Sequence, residues 1–333
     1  MKATARAHTN IALIKYWGKR DEKLFLPMNN SLSITLDAFY TTTSVEFCTC
    51  LKKDIFLLNG NIMGEAETNK MTRFLDLIRK MSGSTLYGVV DSINTVPTAA
   101  GFASSASGFA ALAAASTKAL KMEINDDILS QIARQGSGSA CRSIHGGYVE
   151  WEKGEQLDGS DSFGKQILTE NEWDLSILSV LVEPNEKKVL SREGMKRTVD
   201  TSPFYTGWLE TVDDDLTVAK QAIYDRDFET LGNVLERNAL KMHATTLGAN
   251  PPFMYWTSAT VAVMQKVQEL RDNGISAYYT IDAGPNVKVL CQPEDENSVR
   301  EKLMTLSVVQ EIYHCHPGPG ITYLPNTNRK TCC

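Results

Sequence analysis

Alternating and β-branched positions in LSITLD (32–37) and YTTTSVEF (40–47) predict a pair of strands near the N-terminus. Phe74, Leu75, Leu77 and Ile78 then form an apolar stripe that predicts a helix over 68–82. Two more helices are predicted over 104–120 and 126–135. In the second, Ile128, Leu129, Ile132 and Ala133 recur at helical spacing and Gly136 stands where a C-terminal cap would. Strands are predicted at 146–152 and 174–182. The second half opens with helical patterns over 213–225 and 227–244, and a third over 257–273 stops at Asn273-Gly274. ISAYYTID (275–282) and NVKVLC (286–291) follow as strands. This order predicts an α+β protein of two lobes, with residues 1–180 in the first, 181–326 in the second and a flexible tail over 327–333. No Pro/Gly linker marks the boundary, so the lobes should pack tightly and share a cleft.

Composition narrows the partners. A net charge of −6 argues against nucleic acid or an anionic membrane as the main partner, so a polyanionic ligand must meet a local basic pocket. Seven cysteines, an odd number with no zinc-spaced CxxC pairs, and the lack of a signal peptide or long apolar run point to a reduced, cytoplasmic setting. His314-Cys315-His316 has metal-binding residue types, but the alternation of faces along a strand works against the triplet as a cluster. Cys332-Cys333 does not form a prenylation signal and reads as a frayed tail.

Four segments carry candidate chemistry. In NTVPTAAGFASSASGFAALAAAS, from Asn94 to Ser116, small residues and a serine-rich turn precede an alanine-rich helix. Unsatisfied amides at a helix start attract anions, and Ser104, Ser105 and Ser107 add hydroxyl donors, so this segment reads first as a phosphate cradle; the plainer alternative is a flexible loop before a buried helix. In NIALIKYWGKRD, Lys15, Lys19 and Arg20 flank Tyr16-Trp17-Gly18, which fits either a phosphorylated ligand or a solvated basic edge. QGSGSACRSIHGG gathers Ser137, Ser139 and Arg142, whose guanidinium can grip a carboxylate; the plainer alternative is a helix cap and a turn. Asp282 ends a strand beside Ala283-Gly284-Pro285-Asn286, where it would project into a cleft or simply start the turn. Lys187, Lys188 and Arg192 matter only if they face the same cleft. His8, His145 and His243 are isolated in sequence and read as structural.

Taken together, these segments resemble the GHMP kinase superfamily, and within it the mevalonate diphosphate decarboxylase branch. PTAAGFASSASG is similar to the superfamily's second motif, with Phe102 in place of the usual leucine. NIALIKYWGKRD, LPMNNSLSITL, SGSACRSIHGGYVEWE and YYTIDAGPNVKVL run in the order of the decarboxylase branch, and the last replaces the glycine-rich third motif of the kinases. The resemblance implies a two-lobed GHMP-kinase-like fold with the active site between lobes. It implies ATP-dependent decarboxylation of (R)-5-diphosphomevalonate, with Mg²⁺, in a homodimer. It places Asp282 and Lys15 at the reacting hydroxyl and Tyr16, Trp17, Gly18, Lys19, Ser137, Gly138, Ser139, Ala140, Cys141, Arg142 and Arg192 around the substrate. Gly101, Ala103, Ser104, Ser105, Ser107, Lys187, Asn94 and Lys70 fall to ATP, with Ser105 a candidate magnesium contact. Rival readings are a kinase that stops at phosphorylation, a decarboxylase of the monophosphate, and a silent ligand sensor on the same fold.

Overall fold

The computed structural model describes residues 1–95, 104–183 and 188–325. The chain opens with β1 (Lys2–Ile14), a small hairpin of β2 (Lys19–Asp21) and β3 (Leu26–Pro27), and the long β4 (Ser31–Cys48). After these come β5 (Ile55–Leu58), β6 (Asn61–Ile62), α1 (Glu65–Ser82), β7 (Tyr87–Asn94), α2 (Ser104–Ala119), α3 (Asp126–Gly136), β8 (Tyr148–Trp151) and β9 (Gly164–Leu168). The second lobe contains β10 (Ser176–Leu181), α4 (Ser191–Thr201), α5 (Tyr205–Asp225), α6 (Phe228–Leu247), α7 (Ser258–Asp272), β11 (Ala277–Ile281), β12 (Val287–Cys291), α8 (Glu296–Met304) and β13 (Glu311–Cys315). A last strand, β14 (Thr322–Leu324), returns to the first lobe.

An eight-stranded sheet in the order β14-β1-β4-β7-β5-β6 forms the first lobe, with β8 and β9 joined to the other half of β4. The two strands expected over 32–37 and 40–47 are one continuous β4. No Gly, Pro or Asn lies between them to make a turn, so the register merely shifts against β1 between His8 and Asn10. Under the sheet lies α2, whose buried alanines Ala106, Ala110, Ala111, Ala113, Ala114 and Ala115 let the helix approach closely. Gly136 does not cap α3 in a left-handed turn as its position suggested. It ends the helix against Phe109, whose ring would lie 2.1 Å from an added Cβ.

The second lobe is a four-stranded antiparallel sheet, β11-β12-β10-β13, covered by helices. The boundary expected at residue 180 would cut through β10. The chain crosses instead between β9 and β10, because Ile177, Leu178 and Val180 pack into the second sheet. Tight packing of the lobes is evident in their shared core: Ile11, Leu13, Ile14 and Trp17 meet Trp208, Val212, Leu235 and Tyr278. Helix α4 was not anticipated from the apolar pattern, since only Gly194 and Thr198 of its eleven residues are buried.

At the end of β13, Cys315 turns into the core, while His314 is exposed and His316, just past the strand, is half-buried. Nδ1 of His314 lies 2.5 Å from Glu296 Oε1, and Nδ1 of His316 lies 3.0 Å from Asp174 Oδ1. The alternation thus divides the triplet as its sequence suggested, and no metal-holding group of three His, Cys, Asp or Glu occurs among the described residues.

Candidate active site

Where β1 and β11 end, one from each lobe, their next residues meet. Lys15 follows β1, and its buried ammonium donates to Asp282 Oδ1 at 2.7 Å and to Ala12 O at 2.9 Å. Asp282 follows β11 and is a quarter exposed to the cleft. A second buried ammonium, Lys288 on β12, approaches its Oδ2 at 3.6 Å. Burial alone would push the Asp282 carboxyl up, but Lys15 and Lys288 outweigh it and hold the group well below the usual carboxylate range. Burial draws the Lys15 ammonium down, and Asp282 partly restores it. The result is an ionised carboxylate held between two cations.

Beside this cluster, Tyr16 lies 4.6 Å from Trp151 between ring centroids, and its buried hydroxyl has no hydrogen-bond partner among the described residues. A buried hydroxyl without a partner costs free energy that a bound ligand can recover. Gly138, across from it, leaves room for the ring. Burial raises the Tyr16 phenol far above its ordinary value, so it serves only as a neutral donor and acceptor.

Trp17 and Gly18 have structural places. Trp17 is in the shared core, and its carbonyl accepts from Tyr205 Oη at 2.8 Å. Gly18 has φ +101°, and an added Cβ would lie 2.1 Å from that same hydroxyl, so only glycine fits the turn. Beyond it, Lys19 donates to Glu22 at 2.6 Å and lies 4.6 Å over the ring of Phe25. Arg192, from α4 in the other lobe, lies 5.0 Å over the same ring. Two cations from opposite lobes thus meet on one aromatic side chain. Arg20 turns away to the carbonyls of Lys153 and Gly154.

The QGSGSACRSIHGG segment leaves α3 and winds into a 3₁₀ turn over Gly138–Ile144. Its buried Arg142 donates through Nη1 to Ser31 Oγ at 2.6 Å, and through Nε and Nη2 to Asn10 Oδ1 at 3.3 and 3.1 Å. Three of its five N–H groups are therefore used to fix it, leaving two for a ligand. Ser139 accepts through its carbonyl from Asn10. Ala140 and Cys141 are fully buried in the core, and burial raises the Cys141 thiol to about 12, so neither side chain is a ligand contact. Ser137 Oγ lies 3.3 Å from Ser105 Oγ at the start of α2, which joins the two serine-rich segments.

At the nucleotide side, Ser104 and Ser105 are exposed in the first turn of α2. Ser107 turns inward: its hydroxyl is 2.8 Å from Thr41 Oγ1 and donates to Ser104 O at 3.2 Å, which ties the helix to β4 rather than to a ligand. Asn94, at the end of β7, accepts from Thr41 at 3.3 Å and takes its main-chain position from Asn59. Lys70 lies 5.3 Å over Phe109, and burial, then the charge of Arg192, draws its ammonium down. Gly101, Ala103 and Lys187 lie outside the described residues.

Several contributors escaped the sequence reading. Lys288 had a signal, a lysine inside the otherwise apolar strand VKVLC. Asn10 opens its motif without any hint that it would hold Arg142. Asn29, within the LPMNNSLSITL segment, donates to Lys15 O, and Asn238, remote in sequence, accepts from Lys15 N–H.

Two family descriptions match the chain in order: a diphosphomevalonate decarboxylase-like N-terminal domain over residues 7–164 and a mevalonate 5-diphosphate decarboxylase C-terminal domain over 177–322. A diphosphomevalonate decarboxylase from Ganoderma lucidum is 38% identical over 91% of this chain and 81% of its own. The Homo sapiens enzyme is 36% identical over 86% and 76%. The Staphylococcus aureus mevalonate diphosphate decarboxylase structure superposes with a TM-score of 0.93 at 47% identity, covering 97% of this chain and 98% of that one. The Enterococcus faecalis enzyme superposes at 0.91 and 47%, covering 98% and 99%. A complex described as MDDEF with MVAPP, AMPPCP and magnesium superposes at 0.91 with 48% identity, again over 98% and 99%. Matched over most of its length in sequence and in fold, the chain belongs to the diphosphomevalonate decarboxylase family.

Proposed function

We infer that this chain converts (R)-5-diphosphomevalonate and ATP to isopentenyl diphosphate, ADP, phosphate and CO₂. The observation that carries the reading is the Lys15–Asp282–Lys288 cluster beside the open hydroxyl of Tyr16 and the fixed guanidinium of Arg142. Asp282 accepts a hydrogen bond from the tertiary hydroxyl and aims its oxygen at the γ-phosphorus. Held so far toward ionisation, the carboxylate is a weak base, so its contribution is orientation. Lys15 keeps Asp282 in place and faces the negative charge of the transferring phosphoryl group. The γ-phosphoryl group passes to the hydroxyl oxygen, whose proton goes to the transferred phosphoryl oxygens or to water, and ADP leaves. The tertiary C–O bond, now carrying the phosphoryl group, then breaks, phosphate departs, and the electrons of the C–CO₂ bond close the alkene as CO₂ is lost.

Arg142 holds the substrate carboxylate with its two remaining N–H groups, while Tyr16, Lys19 and Arg192 receive the diphosphate. Ser105 offers an exposed hydroxyl oxygen, a hard donor that suits magnesium carried on the ATP phosphates. A magnesium ion held there would supply neutralisation of the phosphate charge. The same reading includes a homodimer, checked by light scattering, and a cytoplasmic location, checked by fractionation. No helix among the described residues is long and apolar enough to cross a membrane.

The test follows ADP and CO₂ together with the diphosphate, the 5-phosphate and mevalonate as substrates. Equal yields from the diphosphate alone support the reading; ADP without CO₂ would make the protein a kinase.

A further inference from the structure

Helix α6 reaches both members of the Lys15–Asp282 pair through their main chains. Asn238, fully buried, accepts from Lys15 N–H through Oδ1 at 2.9 Å. Its Nδ2 donates to Asp215 Oδ2 of α5, also at 2.9 Å. An ionised carboxylate only accepts, so Asp215 fixes which way the Asn238 amide points. Asp215 is itself buried and is met by Arg237 at 2.9 Å and Lys241 at 2.6 Å.

Five residues along the helix, roughly 7.5 Å by its rise, His243 is also buried. Its Nε2 lies 3.1 Å from Ile281 O, the carbonyl immediately before Asp282. A carbonyl only accepts, so Nε2 carries the proton and donates. The ring is held against Trp256, 4.9 Å between centroids. Burial keeps the imidazole neutral by drawing it down to about 4.

These polar side chains are costly to bury unless their hydrogen bonds are made. Here the bonds go to two particular places. Lys15 is the first residue after β1 and Ile281 the last of β11, so each main-chain group stands where its ladder gives out. One helix takes over at both strand ends, in two different sheets.

We propose that Asn238 and His243 are positioning residues that set the separation and aim of Lys15 and Asp282, with Asp215 orienting Asn238. This rests on the reading above that the pair orients the tertiary hydroxyl. A misplacement of about 1 Å at a reacting group can slow turnover about a hundredfold. His243→Leu therefore lowers kcat by tenfold to a hundredfold on that scale, while KM for ATP and for the diphosphate changes little. His243→Gln recovers most of the rate, because its amide N–H can replace Nε2–H. Asn238→Ala behaves like His243→Leu, and Asn238→Asp is slower still beside Asp215.

The test measures kcat and both KM values for these variants, wild type and Asp282→Asn, with melting temperatures alongside. A folded His243→Leu at full kcat overturns the proposal, as does a His243→Gln no faster than His243→Leu. If His243→Leu does not fold, full kcat in both His243→Gln and Asn238→Ala overturns it. Wild type without CO₂ release overturns the functional reading itself, and an active Asp282→Asn overturns the role of the pair.

Discussion

The reacting centre and the diphosphate edge of the same cleft are built in opposite ways. Lys15 is buried and tied through its main chain to Asn29 and Asn238, and its ammonium is held by Asp282 and Ala12 O. Lys19 and Arg192 instead come from opposite lobes onto the face of Phe25, and Lys19, though its side chain is nearly as buried as that of Lys15, is paired with the exposed carboxylate of Glu22, a removable counter-ion. Bond-making needs fixed geometry, whereas capture of a highly charged diphosphate needs positive potential and tolerates movement. Substitutions at the centre should therefore appear in kcat, and those at the edge in KM.

The sharpest way to break this contrast is Asp282→Asn. Turnover should fall on the order of a thousandfold, with ATP and substrate binding by calorimetry kept near wild type. Retained activity would remove the orienting role.

A stability measurement probes the centre next. The unfolded chain binds a proton at His243 near pH 6.5, whereas the folded protein does so only near 4. Stability from this group is thus complete above pH 6.5 and is lost as pH falls toward 4, a loss on the order of 3 kcal/mol. Lys15 and Asp282 are the charged groups facing the ring. Subtracting the denaturation profile of His243→Gln from that of wild type should isolate this slope; matching slopes would place the proton elsewhere.

Arg142→Lys is expected to lower kcat/KM about a hundredfold, because an ammonium cannot hold Ser31, Asn10 and a carboxylate at once. The smallest effect belongs to the edge. Phe25→Leu should raise KM for the diphosphate about fivefold through loss of about 1 kcal/mol of cation–ring attraction, with kcat unchanged. If kcat fell instead, the division between centre and edge would be wrong.

The same contrast explains what could be read in the sequence. Asp282, Tyr16, Lys19 and Arg142 stand in motifs whose residue types announce charge and hydrogen bonding. Asn238 and His243 lie in a helix whose apolar period predicts α6 but says nothing about which strand ends it touches. Ser107 and Cys141 show the converse error: each lies inside a motif, yet local geometry turns its side chain into the core. Spacing along a motif marks the neighbourhood of a site, and the direction of each side chain comes from the fold. Lys288 was legible in principle, because a lysine within an apolar strand requires a buried partner.

The return of β14 to β1 has a consequence for how the molecule is made. Thr4 pairs with Leu324, so one edge of the first sheet stays open until a strand more than 300 residues further along has been made. At about 5–20 residues per second, that interval is roughly a quarter-minute to a minute. During it the nascent first lobe offers an unpaired strand to neighbouring chains. A chain cut short before β14 therefore keeps that edge of β1 exposed, which makes it adhesive as well as incomplete in its first sheet.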